Sequence, residues 1–240
     1  MKKMAKVAAM LAALALLFGA IGCSSGGSDE PSYEEPPITG DDVDPSRPPS
    51  SGGDVDPVTG GLSGGVPQDD MNWITDGNGV LCEYVGSDTD LTIPSFVTSI
   101  GYEAFKGNED ITSIKFSGVV KAIEQSAFEG CSSLKSITLP EGLEKIGPRA
   151  FYKCVALEDR FNIPEGVTEI WEQAFRECSN ITTITLPVSL RKIDKYAFFD
   201  CKSLVKLIYA GTREQWFKVD LGEYWTFGTL VGTDVTTSDD

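Results

Sequence analysis

Residues 126–140 read SAFEGCSSLKSITLP, and close variants of this stretch recur along the chain. Its Ala-Phe pair occurs five times, at steps of 23, 23, 24 and 23 residues. An isoleucine stands four residues before each of these alanines. A unit of this length is too small to form a hydrophobic core by itself. The period therefore predicts stacked units that share one continuous hydrophobic core.

Each segment like ITLP alternates apolar and polar residues, as a strand does when one side is buried, and the following proline ends it. Stacking then places successive strands in a parallel sheet, ~4.8 Å apart. The Ala-Phe segment is too short for a regular helix, and we expect a turn there with the phenylalanine inward. The predicted fold is a β-rich solenoid with short parallel strands on one face and turns or single 3₁₀ or helical turns on the other.

Three segments of the repeat region resemble a known family: IPSFVTSIGYEAF (93–105), LPEGLEKIGPRAFYKC (139–154) and IPEGVTEIWEQAFREC (163–178). They resemble the BspA-like leucine-rich repeats of bacterial surface proteins, and the resemblance covers about residues 91–216. It implies a leucine-rich repeat solenoid, and a cell-surface protein that mediates adhesion or binds a ligand.

The first 22 residues place three lysines before an uncharged apolar run at 7–22, which is typical of a signal peptide. A run of that length rises only about 24 Å, less than the ~30 Å of a hydrocarbon core, so a spanning helix is the weaker interpretation. The segment AIGCSS around Cys23 resembles a bacterial lipobox. This resemblance implies an exported protein whose Cys23 carries a lipid that anchors it to the bacterial cell envelope.

Residues 23–70 follow as a segment rich in Pro, Gly, Ser and Asp, with a charge of −10 over residues 24–70 out of −16 for the chain. Few large apolar residues occur there, so burial cannot offset the entropy of ordering, and we predict a disordered acidic linker.

Residues 71–90 alternate around an Asp-Gly-Asn-Gly turn and predict a hairpin cap. The repeats then occupy residues 91–209. Residues 210–240 form a C-terminal cap and tail, where Thr212 and Gln215 predict a capping box.

Four cysteines share one repeat column: Cys131, Cys154, Cys178 and Cys201. Neighbouring coils bring such residues within disulfide range, but equivalent side chains project in parallel and keep their Cβ atoms too far apart. The pattern therefore favours free, buried thiols, with disulfides as the alternative. Four ligands spread over three coil steps cannot converge on a tetrahedron, so we predict no metal site and no cofactor.

The chain contains no histidine. This absence removes the Ser-His-Asp and Cys-His nucleophile pairs and every zinc site that uses histidine. The acidic net charge also disfavours nucleic acids as partners. We therefore predict that the protein is not an enzyme. Two alternatives to a binding protein stay open: a purely structural envelope protein, and a glycan-active enzyme with paired carboxylates.

The outward residues of the strands are the candidate binding site, on the face expected to be concave. These residues are Ser113, Lys115, Ser136, Thr138, Asp159, Arg160, Asn162, Thr183, Thr185 and Lys206. Hydroxyl side chains also suit exposed strands without any ligand. A protein or glycan is the expected partner, and the membrane is contacted only through the lipid. One extra residue precedes the strand at 159–162 and is expected to bulge toward this face. Tyr152, Trp171 and Phe199 form a second candidate patch.

Overall fold

The computed structural model describes residues 72–157, 159–231 and 235–240. The predicted signal peptide (1–22), Cys23 and the predicted linker (23–70) lie outside the described residues. Within the described ranges, no helix has the length and apolar character needed to cross a membrane.

The repeats begin after an antiparallel hairpin of β1 (Trp73–Thr75) and β2 (Val80–Tyr84). Asp76 closes the turn: its Oδ1 accepts hydrogen bonds from the backbone N–H of Asn78 at 2.8 Å and of Val80 at 3.0 Å. Strand β2 continues into the array by pairing in parallel with β4 (Ser99–Ile100). The hairpin thereby covers the first coil.

One strand of each coil comes from the segments that alternate apolar and polar residues. We call these the long strands, although β7 has only two residues. They are β3 (Asp90–Ile93), β5 (Ser113–Phe116), β7 (Ser136–Ile137), β9 (Asp159–Asn162), β11 (Ile181–Leu186) and β13 (Lys206–Tyr209). They form two parallel three-stranded sheets, β3-β5-β7 and β9-β11-β13. The break between the sheets falls at the repeat that carries one extra residue, and the pairing of β9 with β11 also shifts register between Ile181 and Thr183.

On a second side of the coils runs another sheet, which is parallel except for the antiparallel pair of β1 and β2. Its remaining strands are β6 (Ala122–Ile123), β8 (Lys145–Ile146), β10 (Glu169–Ile170), β12 (Lys192–Ile193) and β14 (Asp220–Leu221). With the hairpin and β4 they make an eight-stranded sheet in the order β1-β2-β4-β6-β8-β10-β12-β14. The predicted solenoid is confirmed, and this second sheet is an addition to it. Sequence reasoning missed it because strands of two residues are too short to show alternation.

The Ala-Phe segments form turns, as expected. In each turn, the residue before the alanine and the second residue after the phenylalanine have positive φ, for example Arg149 at 55° and Lys153 at 60°. This conformation lets the turns form a ladder of their own, in which Phe128 N–H donates to the Ala150 carbonyl at 2.8 Å and Phe151 N–H to the Ala174 carbonyl at 2.8 Å. Backbone groups outside both sheets are thus satisfied between coils.

The core is a stack of equivalent side chains. Phe128, Phe151 and Phe175 are fully buried, and successive rings stack with centroids 5.3 and 5.2 Å apart. The cysteine column lies beside them. Each thiol donates to the carbonyl of the phenylalanine in the preceding coil, as Cys154 Sγ does to Phe128 O at 3.0 Å. The four column cysteines are free and buried.

The C-terminal segment adds a further coil. It begins with helix α1 (Arg213–Trp216), whose capping box joins Thr212 and Gln215. Strand β14 then pairs with β12, and Thr236 bridges Ile208 of β13. Between them, Phe198 N–H donates to the Trp225 carbonyl at 2.7 Å, as Phe175 N–H does to Ala197 at 2.9 Å. Trp225 therefore occupies an alanine position of the repeat, and the final coil is a divergent copy of the others.

Candidate binding surface

The outward side chains of the long strands form the surface that we call the strand face. Pairing registers align them in two columns. The first column contains Asp90, Ser113, Ser136, Arg160, Thr183 and Lys206. The second contains Thr92, Lys115, Thr138, Asn162, Thr185 and Ile208.

The structure brings the sequence-predicted residues together in two groups. Ser113, Lys115, Ser136 and Thr138 belong to β5, β7 and the residue after β7. The second group continues across β9, β11 and β13, where Arg160 pairs with Thr183 and Thr183 with Lys206, while Asn162 pairs with Thr185. Asp159 is the first residue of β9, opposite Ile181, and its side chain lies outside the description. No strand pairing joins β7 to β9 within the described ranges, so the two groups form separate halves of the face.

Most of these side chains reach solvent. Ser113, Thr183 and Thr185 are half-buried, whereas the other predicted residues with described side chains are exposed: Lys115, Ser136, Thr138, Arg160, Asn162 and Lys206. The strand face is therefore accessible to a large partner along both halves.

The first half of the face is partly occupied by internal hydrogen bonds. Asp90 Oδ1 accepts from Ser113 Oγ at 2.6 Å and from Thr112 Oγ1 at 3.1 Å. The hydrogen bond from Ser113, followed by that from Thr112, lowers the pKa of Asp90. The hydroxyl proton of Ser113 is therefore already donated within the protein, and Ser113 has no free hydrogen-bond donor for a partner.

The cations of the strand face differ from most other cations of the described residues in having no carboxylate within 4.0 Å. Across the ranges that the structure describes, eleven lysines and arginines have a carboxylate oxygen within 4.0 Å. Five do not, and these are Lys115, Lys135, Arg160, Arg191 and Lys206. Three of the five belong to the strand face, and Lys135 directly precedes β7. Sequence reasoning placed Lys115, Arg160 and Lys206 on the face, but it had no signal that they would lack a carboxylate within 4.0 Å.

The second candidate patch is only partly exposed. Tyr152 is buried, because the guanidinium groups of Arg149 and Arg176 lie 4.6 and 5.6 Å from its ring centroid and the Lys153 ammonium lies 4.9 Å away. The prediction of an exposed patch is therefore wrong for Tyr152. Phe199 is half-buried under Arg176, at 5.1 Å.

Trp171 is half-buried, and no ring contact joins it to Tyr152 or Phe199 among the described residues. The three predicted aromatics therefore do not form one binding surface.

A shallow pocket lies at the C-terminal end, and Asp240 is the one acidic residue among its described lining residues. Its lining residues are Arg213, Trp216, Phe217, Val235, Thr236, Thr237 and Asp240. Glycoside hydrolysis requires two carboxyl groups that flank the bond to be cleaved. No group of three or more Cys, Asp or Glu side chains in the described part of the chain could hold a metal ion. This pocket therefore gives no support to a hydrolytic site.

The stacked coils, the two parallel strand columns and the apolar repeat columns define a leucine-rich repeat protein. Residues 83–205 match the BspA type leucine rich repeat region in six copies, and the chain belongs to this family.

Solved structures give the same fold. A leucine rich cell surface protein from Faecalibacterium prausnitzii is 28% identical with a TM-score of 0.53, and the match covers 59% of this chain and 38% of that protein. A leucine rich repeat protein from T. pallidum is 25% identical with a TM-score of 0.52, covering 66% of this chain and 77% of that one. This chain thus spans well under half of the F. prausnitzii protein. No protein of curated function matches it.

Proposed function

We propose that the protein is a bacterial cell-surface binding protein, anchored by a lipid on Cys23, whose strand face binds a protein or glycan that carries acidic groups. The F. prausnitzii relative is described as a cell surface protein, which supports the location. The signal-peptide pattern and the small residues around Cys23 support export and the anchor.

The observation that carries the binding role is the set of cations without carboxylate partners on the strand face. Lys115, Arg160 and Lys206 stand on an acidic protein in which most other described cations are paired within the molecule. A cation that is already paired gains little from a new partner, because the old contact must be broken. An unpaired, solvated cation can form charge-assisted hydrogen bonds with a carboxylate or sulfate of a ligand.

The spacing of the polar groups favours an extended ligand. Neighbouring strands lie ~4.8 Å apart, so Arg160 and Lys206, which are two strands apart, are separated by about 10 Å along the array. Thr183 lies between them, and Asn162 and Thr185 form the adjacent row. Hydroxyl and amide groups between two cations suit a chain of alternating acidic and neutral polar groups, such as an acidic glycan or an acidic peptide segment.

The first test is binding by the full-length chain and by the variant Thr138→Ala/Arg160→Ala/Asn162→Ala. We expect the wild type to capture ligand from an array of acidic glycans or from surface-protein extracts, and the variant to bind at least tenfold more weakly. Each lost charge-assisted contact is worth about 1.5–3 kcal/mol. The matched control is Thr98→Ala/Arg191→Ala/Asn180→Ala, which removes the same residue types from exposed positions off the strand face.

Unchanged binding by the strand-face variant would move the site elsewhere on the molecule. Absence of any ligand for the wild type would instead support a purely structural role. Loss of binding in both variants would show that the strand face has no special part.

A further inference from the structure

The final coil ends in an exposed apolar surface, which we call the end face. It consists of Phe217, Leu221, Tyr224, Phe227 and Leu230, whose exposed fractions are 77, 40, 56, 62 and 69%. These five residues lie within one stretch of 14, whereas the other large exposed apolar side chains are scattered between residues 74 and 205. Monomeric proteins seldom expose a contiguous apolar patch of this kind, so this concentration requires an explanation.

Two stacks of aromatic rings run into the end face. Tyr196 stacks on Tyr224 at 5.7 Å with an angle of 9° between the ring planes, and Phe199 stacks on Phe227 at 5.5 Å with 24°. The two outer rings meet edge to face at 6.0 Å. No other ring covers the outer faces of Tyr224 and Phe227 within the described ranges. Both stacks therefore end with a ring face in solvent.

The end face also carries an open sheet edge. Strand β14 is the last strand of the eight-stranded sheet and pairs only with β12. Its outer backbone groups can accept a further strand, as sheet edges commonly do. Beside it the exposed charges of Glu214 and Lys218 pair with each other at 3.0 Å. Asp220 and Glu223 add two exposed carboxylates to the same stretch.

The apolar area is close to what a stable interface needs. At ~200 Å² for a fully exposed apolar side chain, the five fractions correspond to about 600 Å² of apolar surface. A standard protein interface buries about 800 Å² per partner, most of it apolar or neutral. The five side chains with their rim would reach that size.

We propose that the end face binds the end face of a second copy of this chain in a two-fold dimer. A two-fold axis that passes between the two rings places Tyr224 of one copy against Phe227 of the other, so both stacks continue across the interface. The open edge of β14 belongs to the same final coil as these rings in each copy. Such an interface is self-complementary and closed, so it yields dimers and not filaments.

The salt dependence of this dimer differs from that of ligand binding at the strand face. Two acidic chains repel each other, and salt screens the repulsion while leaving apolar burial intact. We expect self-association to strengthen as salt increases. Binding of an acidic ligand to Lys115, Arg160 and Lys206 weakens under the same conditions, so the dimer does not depend on the proposed ligand site.

The test is crosslinking in cells that make the full-length chain with a photoreactive benzophenone amino acid in place of Phe227. We expect an adduct with twice the mass of the chain. The same group in place of Tyr102, an exposed aromatic residue of the first coil, should give no such adduct. A crosslink from position 227 only to another protein, or no crosslink, would overturn the proposal.

Sedimentation of the full-length chain in detergent gives an independent measurement. We expect Tyr224→Ser/Phe227→Ser to raise the dimer dissociation constant at least tenfold, and the control Phe96→Ser/Tyr102→Ser to leave it unchanged. The single change Leu230→Asp should have the same effect as the end-face pair, and it keeps the test valid if that pair misfolds, because this side chain is mostly exposed. A monomeric wild type, or equal dissociation constants in all variants, would contradict the proposal.

Discussion

Replacing Phe175 by alanine is expected to lower the free energy of unfolding by about 3–5 kcal/mol. The Phe175 ring is fully buried and stacks on Phe151 at 5.2 Å and on Phe198 at 5.6 Å. Phe161 of β9 also meets it edge to face at 5.0 Å. Alanine would open a cavity in the middle of the shared core, and neighbouring coils held by two sheets and a turn ladder cannot collapse into it.

Chemical denaturation of the full-length chain and the variant measures this loss. Phe96→Ala is the matched control, because Phe96 is an exposed phenylalanine outside the end face, and its loss is expected to cost less than about 1 kcal/mol. Equal losses for the two variants would contradict a core that is continuous through the phenylalanine stack. So would a loss below about 1 kcal/mol for Phe175→Ala.

The four buried column cysteines are expected to resist thiol reagents in the folded protein, and Cys201 at least a thousandfold more than an exposed cysteine. Burial, the largest cause, raises the pKa of Cys201 from 9.0 to about 12, and burial also raises those of Cys154 and Cys178. Three pKa units reduce the reactive thiolate about a thousandfold, before steric exclusion is counted. Among the cysteines of the described ranges, the half-buried Cys82 should react fastest.

Thiol counting with and without denaturant measures this protection. In denatured protein whose Cys23 carries the proposed lipid, the five remaining thiols, those of Cys82 and the column, should react without added reductant. Cys82→Ser serves as the control and should remove the fastest-reacting thiol among the cysteines of the described ranges. Fewer than five thiols in the denatured wild type would show disulfides, and fast reaction of a column cysteine in the folded protein would contradict its burial.

The spacing of the sequence was sufficient to predict the solenoid and the alignment of the long strands. Residues one repeat apart, such as Asp90 and Ser113, are paired in the structure. Two features had no sequence signal. The short strands contribute two residues each, too few for a pattern, and the final coil replaces the Ala-Phe pair by Trp225 and Thr226, so its repeat character is visible only in its hydrogen bonds.

The candidate site was predictable in position but not in electrostatics. Strand alternation alone places Arg160 and Lys206 on the strand face, yet their lack of ion-pair partners depends on where carboxylates from other coils fall. The same limit explains the wrong expectation for Tyr152. Its ring is covered by Arg149 from its own turn and Arg176 from the next, and this contact across coils cannot be read from a single repeat.

The central claim is that the unpaired cations of the strand face bind an acidic ligand. The most direct measurement compares two full-length variants of equal charge, Lys115→Gln/Arg160→Gln/Lys206→Gln and Lys121→Gln/Lys145→Gln/Lys192→Gln. The second set removes cations that pair with Glu144, Glu124 and Glu169. We predict that binding to acidic glycans or acidic surface proteins falls at least tenfold in the first variant and stays at the wild-type level in the second. Equal binding by both variants, or an equal loss in both, would contradict the claim.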